Sequence, residues 1–134
     1  MNANECLGFK EAGVFLDIAR DWKLQEVTAV TYLLVCNRQI ARLQGTSDIL
    51  YIGQTEKLGG ENNRLWNYHY AVPANRTEYR VRECVKRLLS NGDAVSLRIC
   101  PIPPNGLTVK QYESQLLSGY RDDHCEAPPL NSVG

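Results

Sequence analysis

The feature that most constrains this chain is a pair of strand-forming runs with no helix between them. Residues 27 to 36, VTAVTYLLVC, are rich in β-branched and aromatic side chains, and DILYIG, ending at Gly53, repeats that chemistry after a polar connector. A parallel pair would need a long crossover, usually helical, and the connector from Asn37 to Ser47 has no strong helical pattern. The two runs are therefore expected to pair as an antiparallel hairpin with a long loop.

Around that hairpin the sequence predicts helices and one further strand. Phe9, Val14, Phe15, Ile18 and Trp22 fall at near-helical spacing, so a helix is expected over residues 8 to 21, within an extension, 1 to 26, packed on a main domain, 27 to 134. After Gly59-Gly60, residues 61 to 70 read as a short helix and 76 to 90 as a longer one. In the longer helix Val81, Cys84, Val85 and Leu88 follow the helical repeat, and Asn91-Gly92 supplies a stop. AVSLRIC, residues 94 to 100, alternates as a third strand and is closed by PIPPNG. Thr108 offers an N-cap for a last helix over 109 to 120, ahead of a Pro-rich end. The expected class is α+β: a small three-stranded antiparallel sheet flanked by helices, with an extra N-terminal helix.

A chain of 134 residues with 43% hydrophobic content supports one core. Its cysteines, Cys6, Cys36, Cys84, Cys100 and Cys125, are odd in number and lack CxxC pairing, which argues against a disulfide framework or a zinc knuckle and points to a reducing cytoplasm. No apolar run is long enough to span a membrane, and no export leader is visible. Net charge is zero, which counts against a nucleic-acid partner, but the charge is uneven. Arg64, Arg76, Arg80, Arg82, Lys86 and Arg87 meet only Glu78 and Glu83, leaving +4 in this stretch and −4 elsewhere. Arg76, Arg80 and Arg87 form a stripe beside the apolar face of their helix. Either this is a nucleic-acid-binding face, carried by Arg76, Arg80, Arg82, Lys86 and Arg87, or it is a solvated helix surface.

Glu113 is out of place. On a helical wheel it falls inside the apolar arc of Val109, Leu116, Leu117 and Tyr120. A carboxylate there must meet a cation or a metal, or else reach the edge of the face and snorkel to water. Tyr32 and Tyr51 stand on the two paired strands, where tyrosine also serves packing. Arg64 and Tyr68, four apart on the short helix, share a face on which a guanidinium and a phenol could converge on one phosphate. Asn131 follows Pro128-Pro129, a rigid approach.

Taken in order, Tyr32, Tyr51-Ile52-Gly53 with Gln54-Thr55, Arg64 with Tyr68, Glu113 on a helix and Asn131 after a proline resemble the GIY-YIG nuclease superfamily. The resemblance runs from about Val27 to Asn131. It implies a metal-dependent DNA endonuclease or nickase that hydrolyses phosphodiesters with one Mg²⁺ or Mn²⁺. Tyr32 would act as general base toward water, with Tyr51 beside it at the phosphate. Arg64 would neutralise the scissile phosphate, Tyr68 would hydrogen-bond the site, Glu113 would hold the metal, and Asn131 would brace the site. DNA is the implied partner, with no membrane role, and sequence preference would come from added loops, further domains, a partner subunit or a homo-oligomer.

The chain also departs from the family pattern. Val30-Thr31-Tyr32 stands where the family has Gly-Ile-Tyr, and the long Tyr32 to Tyr51 interval implies an enlarged hairpin loop around Arg38 and Arg42. His69 lies off the Arg64 face and reads as an accessory or surface group. His124-Cys125-Glu126 resembles a metal cluster only at a glance, because adjacent residues rarely converge on one ion. The rival reading is a non-catalytic nucleic-acid-binding module that retains the fold and the basic helix.

Overall fold

The computed structural model describes residues 1 to 131. Four strands, β1 (Lys10–Val14), β2 (Val30–Ala41), β3 (Thr46–Thr55) and β4 (Val95–Cys100), form one antiparallel sheet in the order β1-β4-β2-β3. Four helices, α1 (Phe15–Arg20), α2 (Arg64–His69), α3 (Arg76–Ser90) and α4 (Val109–His124), cover it. The class is α+β, as expected, but the sheet has four strands and not three. None of the helices described is long and apolar enough to cross a membrane.

The extra strand comes from the segment expected to be an N-terminal helix. Gly13 has φ +135, a value that breaks helical geometry, and Lys10 to Val14 pair instead with β4, with an irregularity between Glu11 and Gly13. Only the six residues of α1 remain helical, and Phe15 and Ala19 alone among them are buried. The first residues therefore extend the sheet. Periodicity misled here because Phe9 and Val14 do not share a face with Phe15: Phe9 stacks on Tyr112 of α4, and Val14 is exposed.

The hairpin loop is also shorter than expected. Residues 37 to 41 continue β2, with Ile40 opposite Ser47 and Ala41 opposite Thr46. The reversal is a tight turn closed by Arg42 N–H donating to the Gly45 carbonyl at 2.9 Å. Arg38 and Arg42 thus lie on or beside a strand arm and not in an enlarged loop. Asn37, Arg38, Gln39 and Ala41 of the arm are exposed, while Ile40 packs on the core. Arg38 pairs with Asp93 at 2.8 Å and Arg42 with Glu126 at 3.0 Å, which ties the arm to the start of β4 and to the chain end.

Each face of the sheet has its own core. On one face Tyr32, Leu34, Leu50 and Leu97 meet Phe15 of α1, Leu65 and Tyr68 of α2, and Val81 and Val85 of α3. On the other, Leu33, Val35, Ile49 and Ile52 meet Tyr112, Leu116 and Tyr120 of α4. Each such buried side chain contributes roughly 1.5–3 kcal/mol, so both faces stabilise the strands that carry the candidate residues. α4 is fixed at its start in two ways. Thr108 Oγ1 accepts from Gln111 N–H at 3.1 Å as an N-cap, and the buried Thr31 hydroxyl donates to the Val109 carbonyl at 2.8 Å.

Thr108→Ala should lower stability by about 1 kcal/mol, the usual cost of a lost N-cap. A denaturant titration checks this through a lower midpoint at unchanged slope.

Candidate active site

The register of β2 and β3 brings the tyrosines together. Tyr32 lies opposite Gly53 and Leu34 opposite Tyr51, and one extra residue, Leu50, bulges out before the pairing resumes at Ile49 opposite Val35. Strand alternation would send Leu50 and Tyr51 to opposite faces, but the bulge lets both join the core shared with α1, α2 and α3. The Tyr32 and Tyr51 rings lie with centroids 5.9 Å apart. Both reach across Gly53: a Cβ there would stand 2.6 Å from the Tyr51 ring and 2.7 Å from that of Tyr32. Glycine is required by the rings, not by the backbone angle.

Tyr68 closes the group from α2. Its hydroxyl shares a 2.9 Å hydrogen bond with that of Tyr32, and its ring meets those of Tyr32 and Phe15 edge to face. Tyr32 and Tyr68 are each only 1% exposed, whereas Tyr51 is half-buried. Of the three phenols, Tyr51 is therefore the one that solvent reaches. Asn131 fixes the strand beneath it. Its side-chain oxygen accepts from Ile52 N–H and its amide donates to the Ile52 carbonyl, both at 2.8 Å, so it acts as a short substitute strand on the β3 edge.

Arg64 sits at the start of α2 amid these phenols. Its Nη1 donates to Glu78 of α3 at 2.7 Å, and its Nε is buried with no hydrogen-bond partner among the described residues. Glu113 reaches the group from α4, half-buried and without a hydrogen bond or ion pair among the described residues. The apolar-arc reading therefore needs refining: Tyr112 and Leu116 point into the core, while Glu113 stands at its margin, within electrostatic reach of Arg64 and Tyr51.

The electrostatics follow from burial, from Arg64 and, at Glu113, also from Lys110. Burial raises Tyr32, with Tyr51 adding to the effect and Arg64 opposing it. Tyr68 is raised well above the usual phenol range by burial and by Tyr32 and Tyr51. Burial raises Tyr51 as well; Arg64 draws it back and Glu113 pushes it up. Burial by itself would lower Arg64, but Tyr32, Tyr68, Glu78 and Tyr51 hold it above its ordinary value. Glu113 is raised by desolvation, and Arg64 and Lys110 only partly offset this. In the free protein at neutral pH the phenols are hydrogen-bond donors, and one carboxylate carries an unrelieved desolvation cost.

The basic residues divide. Arg76, Arg80 and Arg87 make no ion pair or side-chain hydrogen bond among the described residues, and Arg76 and Arg87 are exposed. Arg82 is different: it donates to the His69 carbonyl at 3.0 Å, pairs with Glu83 at 3.2 Å and lies over the Tyr79 ring, so it fastens α3 to the end of α2. Lys86 pairs loosely with Glu83 at 3.5 Å. His69 packs its ring on Tyr70. His124, Cys125 and Glu126 are engaged with the hairpin turn: His124 Nδ1 meets the Gln44 carbonyl at 2.7 Å, the Cys125 thiol donates to the Gln44 side chain at 3.2 Å, and Glu126 accepts from Leu43 N–H at 2.6 Å.

Comparison with protein-family models, with curated proteins and with solved structures returned no match. Function is read from the site itself. Two of its features were not singled out from sequence. Glu78 was visible only as a charge offsetting the arginines, although a lone carboxylate in the first turn of a basic helix is a signal. The need for Gly53 depends on two rings from different strands, which no local pattern reveals.

Two outcomes are expected. Gly53→Ala should cost about 1–3 kcal/mol, because the methyl group overpacks both rings, and a lowered denaturation midpoint checks it. The buried phenols hold their protons more tightly when folded than when unfolded. Their contribution is thus fully present below about pH 10 and is lost as pH rises above it, since the unfolded chain then binds fewer protons. Absorbance at alkaline pH should show Tyr32 and Tyr68 ionising only together with unfolding.

Proposed function

We propose that this chain is a metal-dependent phosphodiesterase acting on DNA, an endonuclease or nickase of GIY-YIG-like fold. The observation that carries the reading is convergence: Tyr32 and Tyr51 from the hairpin meet Tyr68 from α2, with Arg64 of α2 and Glu113 of α4 within electrostatic reach. A packing core has no use for a partly buried arginine beside three phenols and a half-buried glutamate at its margin, whereas phosphoryl transfer needs positive charge, hydrogen-bond donors and a metal-binding oxygen together.

The residues fit one hard divalent cation. Glu113 offers a half-buried carboxylate with no partner among the described residues and a raised protonation point, so a cation would relieve its desolvation. No group of three or more metal-binding side chains occurs among the described residues, so substrate phosphate and water would complete the shell. When bound, Mg²⁺ or Mn²⁺ supplies Lewis-acid polarisation of a phosphate oxygen. The chain does the rest. Arg64, whose side chain is 27% exposed, offsets charge on the phosphoryl oxygens. Tyr51, the accessible phenol, donates to the phosphate or orients water. Tyr32 and Tyr68, linked to each other, hold that ring in place. Tyr32 as general base requires added positive charge, because burial favours its neutral form. Arg76, Arg80 and Arg87 offer phosphate contacts away from the reacting centre.

A second reading, a nucleic-acid-binding module without turnover, is favoured by one observation: Glu78 already engages Arg64. Incubating supercoiled plasmid with Mg²⁺ or Mn²⁺ separates the two. The expected result is relaxed or linear product, reduced on the order of a hundredfold or more by Glu113→Gln purified in parallel. Salt-sensitive DNA binding without any product supports the module instead.

A further inference from the structure

Glu78 is the one charged residue at the site with no role in the reading above. It projects from the first turn of α3, which is a separate element from the hairpin and from α4, and its contact with Arg64 is close and sheltered. The Nη1–Oε1 distance is 2.7 Å, and the side chains are only 27% and 16% exposed. Glu78 lies two residues from Arg76 and two from Arg80, so it faces away from their stripe and toward α2. An arginine without such a partner would retain much of its rotamer freedom. A carboxylate on its outer nitrogen removes that freedom and leaves Nε, already buried and unpartnered, directed elsewhere.

We propose that Glu78 is a positioning residue: it orients the Arg64 guanidinium toward the phosphate site, at the cost of weakening the attraction of Arg64 for the phosphate before reaction. The inference rests on the phosphodiesterase reading. Two consequences follow from the same ion pair and run in opposite directions. The pair makes Arg64 and Glu78 together neutral, so losing the carboxylate charge strengthens the attraction to DNA. It also sets the angle of the guanidinium, so losing the hydrogen bond weakens the transition state. A contact that merely held α3 to α2 would show the first effect, which follows from charge alone, and not the second. Arg82 already provides such a fastening through the His69 carbonyl.

The test compares Glu78→Gln, which keeps an acceptor oxygen without charge, with Glu78→Ala, which removes both. Duplex DNA binding in EDTA should tighten a few-fold in each variant, with a salt dependence steeper by roughly one counter-ion. With Mg²⁺, kcat should fall on the order of a hundredfold in Glu78→Ala and be largely retained in Glu78→Gln. Independently of turnover, the ¹⁵N cross-peak of the Arg64 Nε–H, assigned with Arg64→Lys, should be sharp in the wild type and in Glu78→Gln and lost in Glu78→Ala. Equal kcat in wild type and Glu78→Ala overturns the proposal, as does a Glu78→Gln loss equal to that of Glu78→Ala or an Arg64 signal indifferent to both. Where the wild type cleaves nothing, the phosphodiesterase reading falls, and binding with the Arg64 signal alone decides whether Glu78 positions the guanidinium.

Discussion

The packing of two tyrosine rings across Gly53 is the contact on which the rest of the site depends. It exists because β2 and β3 pair in a register that sets Tyr32 opposite Gly53, and because one bulged residue turns Tyr51 to the same face. A slip of one residue would send every side chain of β3 to the other face and exchange the two cores. Asn131 reinforces the register at the decisive point by satisfying both backbone groups of Ile52, between Tyr51 and Gly53. The helices then have fixed places. α2 brings Tyr68 to the Tyr32 hydroxyl, and α4, anchored by Thr31 and capped by Thr108, brings Glu113 to the margin of the same group.

The balance of charge in this cluster is what gives it chemical character. Three phenols, two of them almost wholly buried, lie within electrostatic reach of one guanidinium, which pairs with Glu78 and also acts on Glu113. Glu78 is satisfied by Arg64, and Glu113 is not satisfied by any residue described. On the proposed reading the arrangement lacks a cation next to Glu113 and an anion beside the partly exposed Arg64. A phosphodiester accompanied by a divalent ion supplies both at once.

Much of this was legible in the chain because the signals were local. The β-branched run and DILYIG marked the hairpin, Val81 to Leu88 marked the buried face of α3, and Thr108 marked the start of α4. The failures share a physical cause. Phe9 to Trp22 mimics a helical stripe, yet Gly13 and the unpaired edge of β4 draw part of it into the sheet, and pairing with a distant strand leaves no local trace. The polar residues after Cys36 look like a loop because Asn37, Arg38, Gln39 and Ala41 are exposed and only Ile40 among them packs on the core, so alternation leaves little trace. Arg82 reads as one more surface cation until α3 is set against the last carbonyls of α2. The partnership of Glu78 with Arg64, fourteen residues apart, has the same origin.

In the proposed function, Glu113 and a bound phosphodiester together hold one divalent ion beside Tyr51 and Arg64. Anomalous diffraction from crystals of the protein grown with Mn²⁺ and a non-cleavable phosphorothioate duplex tests it most directly. One Mn²⁺ peak is expected in contact with the Glu113 carboxylate and a phosphate oxygen, absent from the Glu113→Gln complex. A peak at other side chains, or one that persists at this place in Glu113→Gln, would contradict it.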